Sequence, residues 1–284
     1  MNIELNQLFG LEGRIAAITG GGGELCGVMA EALAGLGVKV AILDINRESA
    51  LKREQLITAS GGAACAIQCN VLDEENLQSC LAEISDLWDA PDILINGAGG
   101  NHPQGSTHKE FMEFEDIDNP EVSGFFDLEY DGFRRVFDLN FMGTFLPTKV
   151  FARGMIPRRT GTVLNISSMS ALTPLTKVAA YSAAKAAVSN FTRWLAVHLA
   201  HVGVRVNAIA PGFLMTEQLK FLHIDQQTGE LTPRAQQVMA HTPMGRYGKP
   251  QELLGTVIWL LSGASQFVTG AVIPIDGGFS SYSI

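Results

Sequence analysis

One segment of the chain, GTVLNISSMSALTPLTKVAAYSAAKAA, carries three side chains that together suit proton transfer. Tyr181 follows Ser168 by thirteen positions, and Lys185 follows Tyr181 by four. A Tyr and a Lys four apart on a helix share a face, so an ammonium can sit beside a phenol. A free tyrosine titrates near pH ~10, and a fixed positive charge nearby favours the phenolate and lowers that value. Such a phenol becomes a usable acid or base for an alcohol/ketone pair. A serine hydroxyl arriving from the end of the preceding strand can hold the reacting oxygen.

Side chains this far apart in sequence need a rigid frame. Apolar, β-branched runs alternate with amphipathic stretches, which predicts strands at about 14–19, 38–44, 63–70, 92–96, 161–167, 204–210 and 271–275. Helices are expected at about 24–36, 47–60, 73–88, 131–156, 181–201 and 250–262. The strands are continuous apolar runs such as VKVAILD and PDILING, the mark of a strand covered on both faces. This alternation implies an α/β fold, a Rossmann-type doubly wound seven-stranded parallel sheet with helices on both faces. It reads as one domain over residues 1–284, without repeats or linkers. Two long connections, at about 100–130 and 213–247, break the rhythm and follow the carboxyl ends of strands. Connections of that length in a compact fold are expected to be substrate loops or lids.

Composition narrows the function classes. The 284 residues are 46% hydrophobic and 17% charged, which suits a large buried core. A net charge of −9 spread along the chain argues against a nucleic-acid partner, and it obliges an anionic substrate to find local positive groups. No apolar run is long enough to span a bilayer, and the first residues, MNIELNQLFGLEGR, lack a basic-then-apolar signal. Cys26, Cys65, Cys69 and Cys80 fall on no metal spacing and read as buried thiols in a reducing cytoplasm. The acids between Glu110 and Glu129 match no metal-loop motif, so no metal is expected. They read as solvated acids around anchoring Phe111, Phe114, Phe125 and Phe126.

A second constellation points to a dinucleotide. The first strand runs into GGGGELCG and then an Ala-rich helix, so backbone N–H groups can approach a pyrophosphate at a helix N-terminus. Asp44 ends the second strand, 24 positions beyond Gly20. A carboxylate there accepts from both ribose hydroxyls and repels a 2′-phosphate, which favours NAD over NADP. Arg47 reads as a solvated residue of the first helical turn.

These residues resemble the short-chain dehydrogenase/reductase family over nearly the whole chain. The family's TGxxxGxG motif appears as Thr19 to Cys26, with Glu24 and Cys26 where the last two glycines usually stand. The resemblance implies cofactor contacts at Gly20, Gly22, Gly23, Leu25, Asp44, Asn70, Val71, Asn96, Ala98 and Gly99, and again at Tyr181, Lys185, Pro211, Gly212 and Thr216. Glu24 is expected to crowd a diphosphate or to face a ribose hydroxyl. Asn96 to Gly99 matches the NNAG turn, and Asp276 to Gly278 the closing-strand motif. Asn140 matches a fourth catalytic member beside Ser168, Tyr181 and Lys185. Ser167 is the rival of Ser168, and the family spacing selects Ser168.

The loops GGNHPQG, FFDLEYDGFRRVFDLNFMGT and PMGRYG, with the central segment, are similar to the D-mannonate oxidoreductase (fructuronate reductase) branch of that family. This implies a sugar-acid substrate and NAD. Asn101, His102 and Lys177 are then the expected substrate contacts, against the alternative that His102 caps its turn and Lys177 faces solvent. Arg134 and Arg135 read as surface residues, Arg246 as a loop stabiliser, and Phe221 and Met239 as hinge packing. The extra apolar face of the helix holding Phe191 and Trp194 suggests subunit contact, and the resemblance implies a homodimer or homotetramer. The rivals are another secondary alcohol (a gluconate, a polyol or an oxoacyl substrate) and a non-catalytic nucleotide sensor.

Overall fold

In the computed structural model, which describes residues 5–283, seven strands form one parallel sheet in the order β3-β2-β1-β4-β5-β6-β7. They are β1 (Ile15–Thr19), β2 (Lys39–Asp44), β3 (Ala64–Gln68), β4 (Ile93–Asn96), β5 (Gly161–Ile166), β6 (Val204–Pro211) and β7 (Val272–Ile275). The expected span of 1–284 includes positions 1–4 and 284, which lie outside the described residues. β1 pairs with β2 on one side and β4 on the other, in register Thr19 with Leu43 and Asn96. The strand order reverses there, so a crevice opens at the carboxyl ends of these strands.

Ten α-helices accompany the sheet among the described residues: α1 (Leu5–Leu8), α2 (Glu24–Gly35), α3 (Arg47–Ala59), α4 (Glu74–Leu87), α5 (Tyr130–Phe137), α6 (Gly143–Phe151), α7 (Ala179–Leu199), α8 (Glu217–His223), α9 (Pro233–Ala240) and α10 (Leu254–Leu261). Side chains alternate across each strand. Ala16 and Ile18 therefore join Met29, Leu33, Val257 and Leu260 of α2 and α10 on one face. Ile15 and Ala17 join Leu77, Ile84, Phe151 and Leu195 of α4, α6 and α7 on the other. Asn46 and Asp73 fix the starts of α3 and α4 by accepting from the N–H groups of Ser49 and Asn76.

A polar chain crosses the middle of this core. Asn96 Nδ2 donates to Thr148 Oγ1 and to Asn165 Oδ1, each at 2.8 Å, and Asn165 Nδ2 donates to Thr192 Oγ1 at 2.9 Å. It ties β4 and β5 to α6 and α7. These buried bonds favour one arrangement of strands and helices, while Asn96 Oδ1 has no partner among the described residues.

The structure corrects three expected elements. The helix expected at 131–156 is α5 and α6 joined by a π-helical turn at Asp138–Met142, and it closes with a tighter turn at Ala152–Met155. The extra residue in that turn carries Asn140 out of regular register. The helix expected at 250–262 opens with a tight turn, Pro250–Leu253. The connection at 213–247 is a small folded unit: α8 and α9 pack Ala235 and Val238 against Tyr247, Phe213, Met215 and Leu219. The connection at 100–130 contains only single tight turns.

The anchoring phenylalanines are also corrected. Phe111, Phe114, Phe125 and Phe126 are between 68% and 91% exposed. The acids hold this loop instead. Asp116 is 4% exposed, receives Lys109 Nζ at 2.7 Å and accepts from the N–H of Glu113 at 3.0 Å. These bonds keep its carboxyl below the usual carboxylate range. Phe221 is likewise exposed, whereas Met239 packs into the lid's apolar cluster. Among the described residues no helix is long and apolar enough to cross a membrane, and no three His, Cys, Asp or Glu side chains gather where they could hold a metal ion.

Candidate active site

A cleft of about 800 Å³ runs along the carboxyl ends of β1, β2, β4, β5 and β6. At one end lies Asp44. Its Oδ2 accepts from the Gly22 N–H at 3.0 Å and its Oδ1 from the Asn46 N–H at 2.9 Å, so the backbone aims the carboxylate. The glycine turn follows. Gly20 has φ +64, and a side chain there would strike the backbone of Ala98, so only glycine lets the two turns meet. No side chain caps α2, which leaves the N–H groups of its first turn for an anion.

The two residues that depart from the glycine motif have structural explanations. Cys26 is 4% exposed and its Sγ fills the space that a side chain at Gly97 would need. Burial pushes its thiol up to about 12. Glu24 does line the cleft. Its Oε2 accepts from the backbone N–H of Glu217 at 2.8 Å, joining the start of α2 to the start of α8. One carboxylate oxygen of Glu24 thus ties the glycine turn to the lid.

At the other end of the cleft stand Ser168, Tyr181 and Lys185. Ser168 leaves the end of β5 and caps the short turn Met169–Ala171, its Oγ accepting from the Ser170 N–H at 3.1 Å. Ser167 points the other way, to Ser189 Oγ at 2.7 Å and the Lys185 carbonyl at 3.1 Å. Lys185 is 3% exposed. Its Nζ donates to the Ile166 carbonyl at 2.8 Å and lies 5.6 Å from the centre of the Tyr181 ring. Asn140, fully buried in the π-helical turn, donates to the carbonyls of Gly100 at 2.7 Å and Val136 at 2.8 Å and accepts from the Gly100 N–H at 3.2 Å. Side chains of Asn140 and Lys185 both crowd Gly99, where a Cβ would collide.

The electrostatics differ from the expectation. Burial raises the Tyr181 phenol above its ordinary value, and the neighbouring Ser168 hydroxyl opposes this only in part. Burial lowers Lys185 from 10.5 to about 8. Lys185 does not depress the tyrosine here, because both groups are desolvated and the ammonium is turned to a main-chain carbonyl.

The remaining expected residues divide. Gly20, Gly23, Leu25, Asn70, Val71, Ala98, Gly99, Gly212 and Thr216 line the cleft. Gly22, Asn96 and Pro211 do not: Gly22 supports Asp44, Asn96 belongs to the buried chain below the turn, and Pro211 is buried at the end of β6. Asn70 Oδ1 already accepts from the Leu72 N–H at 3.1 Å. Arg47 is exposed in the first turn of α3, as expected.

None of the three expected substrate contacts is on the cleft wall. Asn101 Nδ2 donates to Ser106 Oγ at 2.8 Å, and His102 Nδ1 caps the next turn by accepting from the Gln104 N–H at 3.3 Å. Lys177 has φ +72, uncommon outside glycine, and its carbonyl receives the Thr107 N–H at 2.9 Å. Among the described residues Lys185 is the one basic side chain on the wall. Apolar side chains also line the cleft: Leu139, Met169, Leu175, Phe213 and Leu219. Those five went unnoticed in sequence, although Leu139 precedes Asn140 and Phe213 follows Gly212 directly.

Comparison with known proteins agrees with this geometry. Residues 25–280 match the family described as enoyl-(acyl carrier protein) reductase. An uncharacterized oxidoreductase of Haemophilus influenzae is 48% identical over all of this chain and 98% of its own length. A crystal structure from the same organism, provisionally assigned as a D-mannonate oxidoreductase with bound NAD, superposes with a TM-score of 0.93. It is 47% identical, and the match covers 99% of both chains. A short-chain type dehydrogenase/reductase of Mycobacterium marinum superposes with a TM-score of 0.81 at 28% identity, covering 98% of this chain and 99% of that one.

Proposed function

The chain belongs to the short-chain dehydrogenase/reductase family, and on that premise we propose that it is an NAD-dependent oxidoreductase interconverting D-fructuronate and D-mannonate. The observation that carries the reaction class is Ser168, Tyr181 and Lys185 together on the wall of the same cleft as Asp44. Support for the substrate comes from the loop resemblance and from the description of the Haemophilus influenzae structure.

The cleft suits a dinucleotide. Asp44 offers ribose hydroxyls two oriented oxygens, the uncapped start of α2 offers a pyrophosphate its N–H groups, and the Gly20–Ala98 contact leaves room for close approach. A nicotinamide held there would supply the hydride acceptor for the alcohol carbon in oxidation and, when reduced, the hydride donor for the ketone carbon.

Everything else falls to the chain's own residues. Ser168 hydrogen-bonds the substrate oxygen and steadies the charge it develops. Tyr181 Oη gives that oxygen a proton in reduction and removes it in oxidation. Lys185, its ammonium 5.6 Å from the centre of the Tyr181 ring, is assigned the nicotinamide ribose. Asn140 holds the Gly100 backbone and supports the proton path. The apolar wall excludes water from the reacting carbon. Lys177 and His102 stand on the loops bordering the chamber and are the proposed contacts for a carboxylate entering from the rim, with Asn101 beside them.

Trp194 and Val197 are exposed on α7, where Phe191, Trp194 and His198 stack in a row. This face suits the proposed homodimer or homotetramer. The four cysteines are free thiols, which suits a cytoplasmic protein.

The test pairs NADH calorimetry with turnover on keto-uronates, aldonates, gluconate, polyols and an oxoacyl thioester, using both cofactors. Tyr181→Phe is expected to bind NADH as the parent does and to lose turnover by roughly 10³-fold. Full activity in that variant would refute the role of Tyr181, and a marked preference for an oxoacyl thioester would refute the substrate class.

A further inference from the structure

The two long connections leave from β4 and β6, the strands on either side of β5, and Ser168 follows the end of β5. Glu110 of the first connection and Arg234 of α9 meet across 124 residues, with Arg234 Nη1 donating to Glu110 Oε1 at 2.6 Å. Gln237, one turn further along α9, donates from Nε2 to Glu110 Oε2 at 3.2 Å and accepts from Arg234 Nη1 at 3.0 Å. Each carboxylate oxygen thus has its own donor, and the two donors are linked to each other. The ion pair is partly shielded, with side-chain exposures of 31% for Arg234 and 21% for Glu110. Shielding of this kind lifts it above an ordinary surface pair.

We infer that the Glu110–Arg234–Gln237 clasp closes a bridge over the end of β5 and acts as a positioning and specificity device, holding the substrate chamber at one fixed span. The bridge is tied down at further points. The Thr107 N–H bonds the Lys177 carbonyl on the segment leading to Tyr181, and the Glu217 N–H bonds Glu24 beside the glycine turn. Leu219 of α8 and Phe213 reach from the lid into the cleft wall, so displacement of the lid moves surfaces that a substrate touches. The lid keeps its own apolar cluster around Tyr247, which lets it stay folded when the clasp is cut. Glu110, Arg234 and Gln237 are themselves off the wall of the dinucleotide cleft.

This inference rests on the proposed oxidoreductase reading, so the experiment needs readouts that separate the two. Glu110→Ala, Arg234→Ala and the charge exchange Glu110→Arg with Arg234→Glu would be compared with the parent for NADH affinity, for KM and kcat with a keto-uronate, and for the rate of protease cleavage within residues 213–247. Each single variant is expected to raise KM roughly tenfold, within the range of coupled pairs, with kcat and NADH affinity within about threefold of the parent. Cleavage in the lid should accelerate, and the charge exchange should recover most of both effects. Unchanged KM and cleavage in the single variants, or an exchange variant worse than either, overturns the clasp. Absence of NADH binding or of turnover in the parent overturns the oxidoreductase reading instead, while the cleavage rates still decide the clasp.

Discussion

Replacing Lys185 by methionine is expected to stabilise the cofactor-free protein while abolishing turnover. Lys185 is 3% exposed and has one hydrogen bond, to the Ile166 carbonyl. The acidic group whose charge would support it is Cys26, but burial holds that thiol at about 12 and it is neutral at pH 7. The ammonium is thus buried without a counter-ion. The drop from 10.5 to about 8 corresponds to roughly 3 kcal/mol at ~1.36 kcal/mol per pKa unit. The sign follows from proton counting. Between about 8 and 10.5 the unfolded chain holds the proton and the folded chain does not, so the parent's stability rises with pH through that window. Below about 8 the penalty is fully present. Methionine removes the charge at similar volume but leaves the Ile166 carbonyl without its donor, which costs about 1 kcal/mol. The net expectation at pH 7 is a gain of roughly 2 kcal/mol, or about 3–4 °C in Tm for a chain of this size. Denaturant melts of parent and variant at pH 7 and at pH ~10 measure it, and the gap should close toward the higher pH. A variant less stable than the parent at pH 7, or a gap that widens with pH, would refute the picture of an uncompensated buried ammonium.

Two further outcomes follow from the cleft. Asp44→Ala removes the oriented carboxylate, so NAD affinity should fall about tenfold and the preference over NADP should shrink; calorimetry with both cofactors checks this, and an unchanged preference would place the selectivity elsewhere. Gly97→Ala drives a methyl group into Cys26 Sγ and should cost ~1–3 kcal/mol by overpacking. A Cys26→Ala background should recover only part of that loss, because the Thr19 carbonyl would still lie 2.9 Å from the added carbon, as denaturant melts would show.

Much of the fold was legible because the strands are buried on both faces. Runs such as VAILD and ILIN have few alternatives as continuous apolar segments, and all seven expected strands are present within a few residues. The helices joined to them were equally plain. Less legible were elements set by competition between local and distant contacts. No periodicity announces the π-helical turn that displaces Asn140, since its reason is the Gly100 backbone forty positions away. The lid looked like a loop because α8 and α9 are short and polar, and their apolar side chains find partners only in Phe213 and Tyr247.

Composition and spacing by themselves determined the parallel sheet, the glycine turn with its terminal Asp44, and the grouping of Ser168, Tyr181 and Lys185, because each depends on residue type at short or regular separation. Tertiary structure alone decided the state of those groups. Burial raises the phenol of Tyr181 and lowers the ammonium of Lys185, and desolvation depends on everything packed around a group rather than on its neighbours in the chain. It also decided the partners of Glu24 and Glu110, carboxylates whose places in the sequence say nothing of the N–H of Glu217 or the guanidinium of Arg234 that they meet.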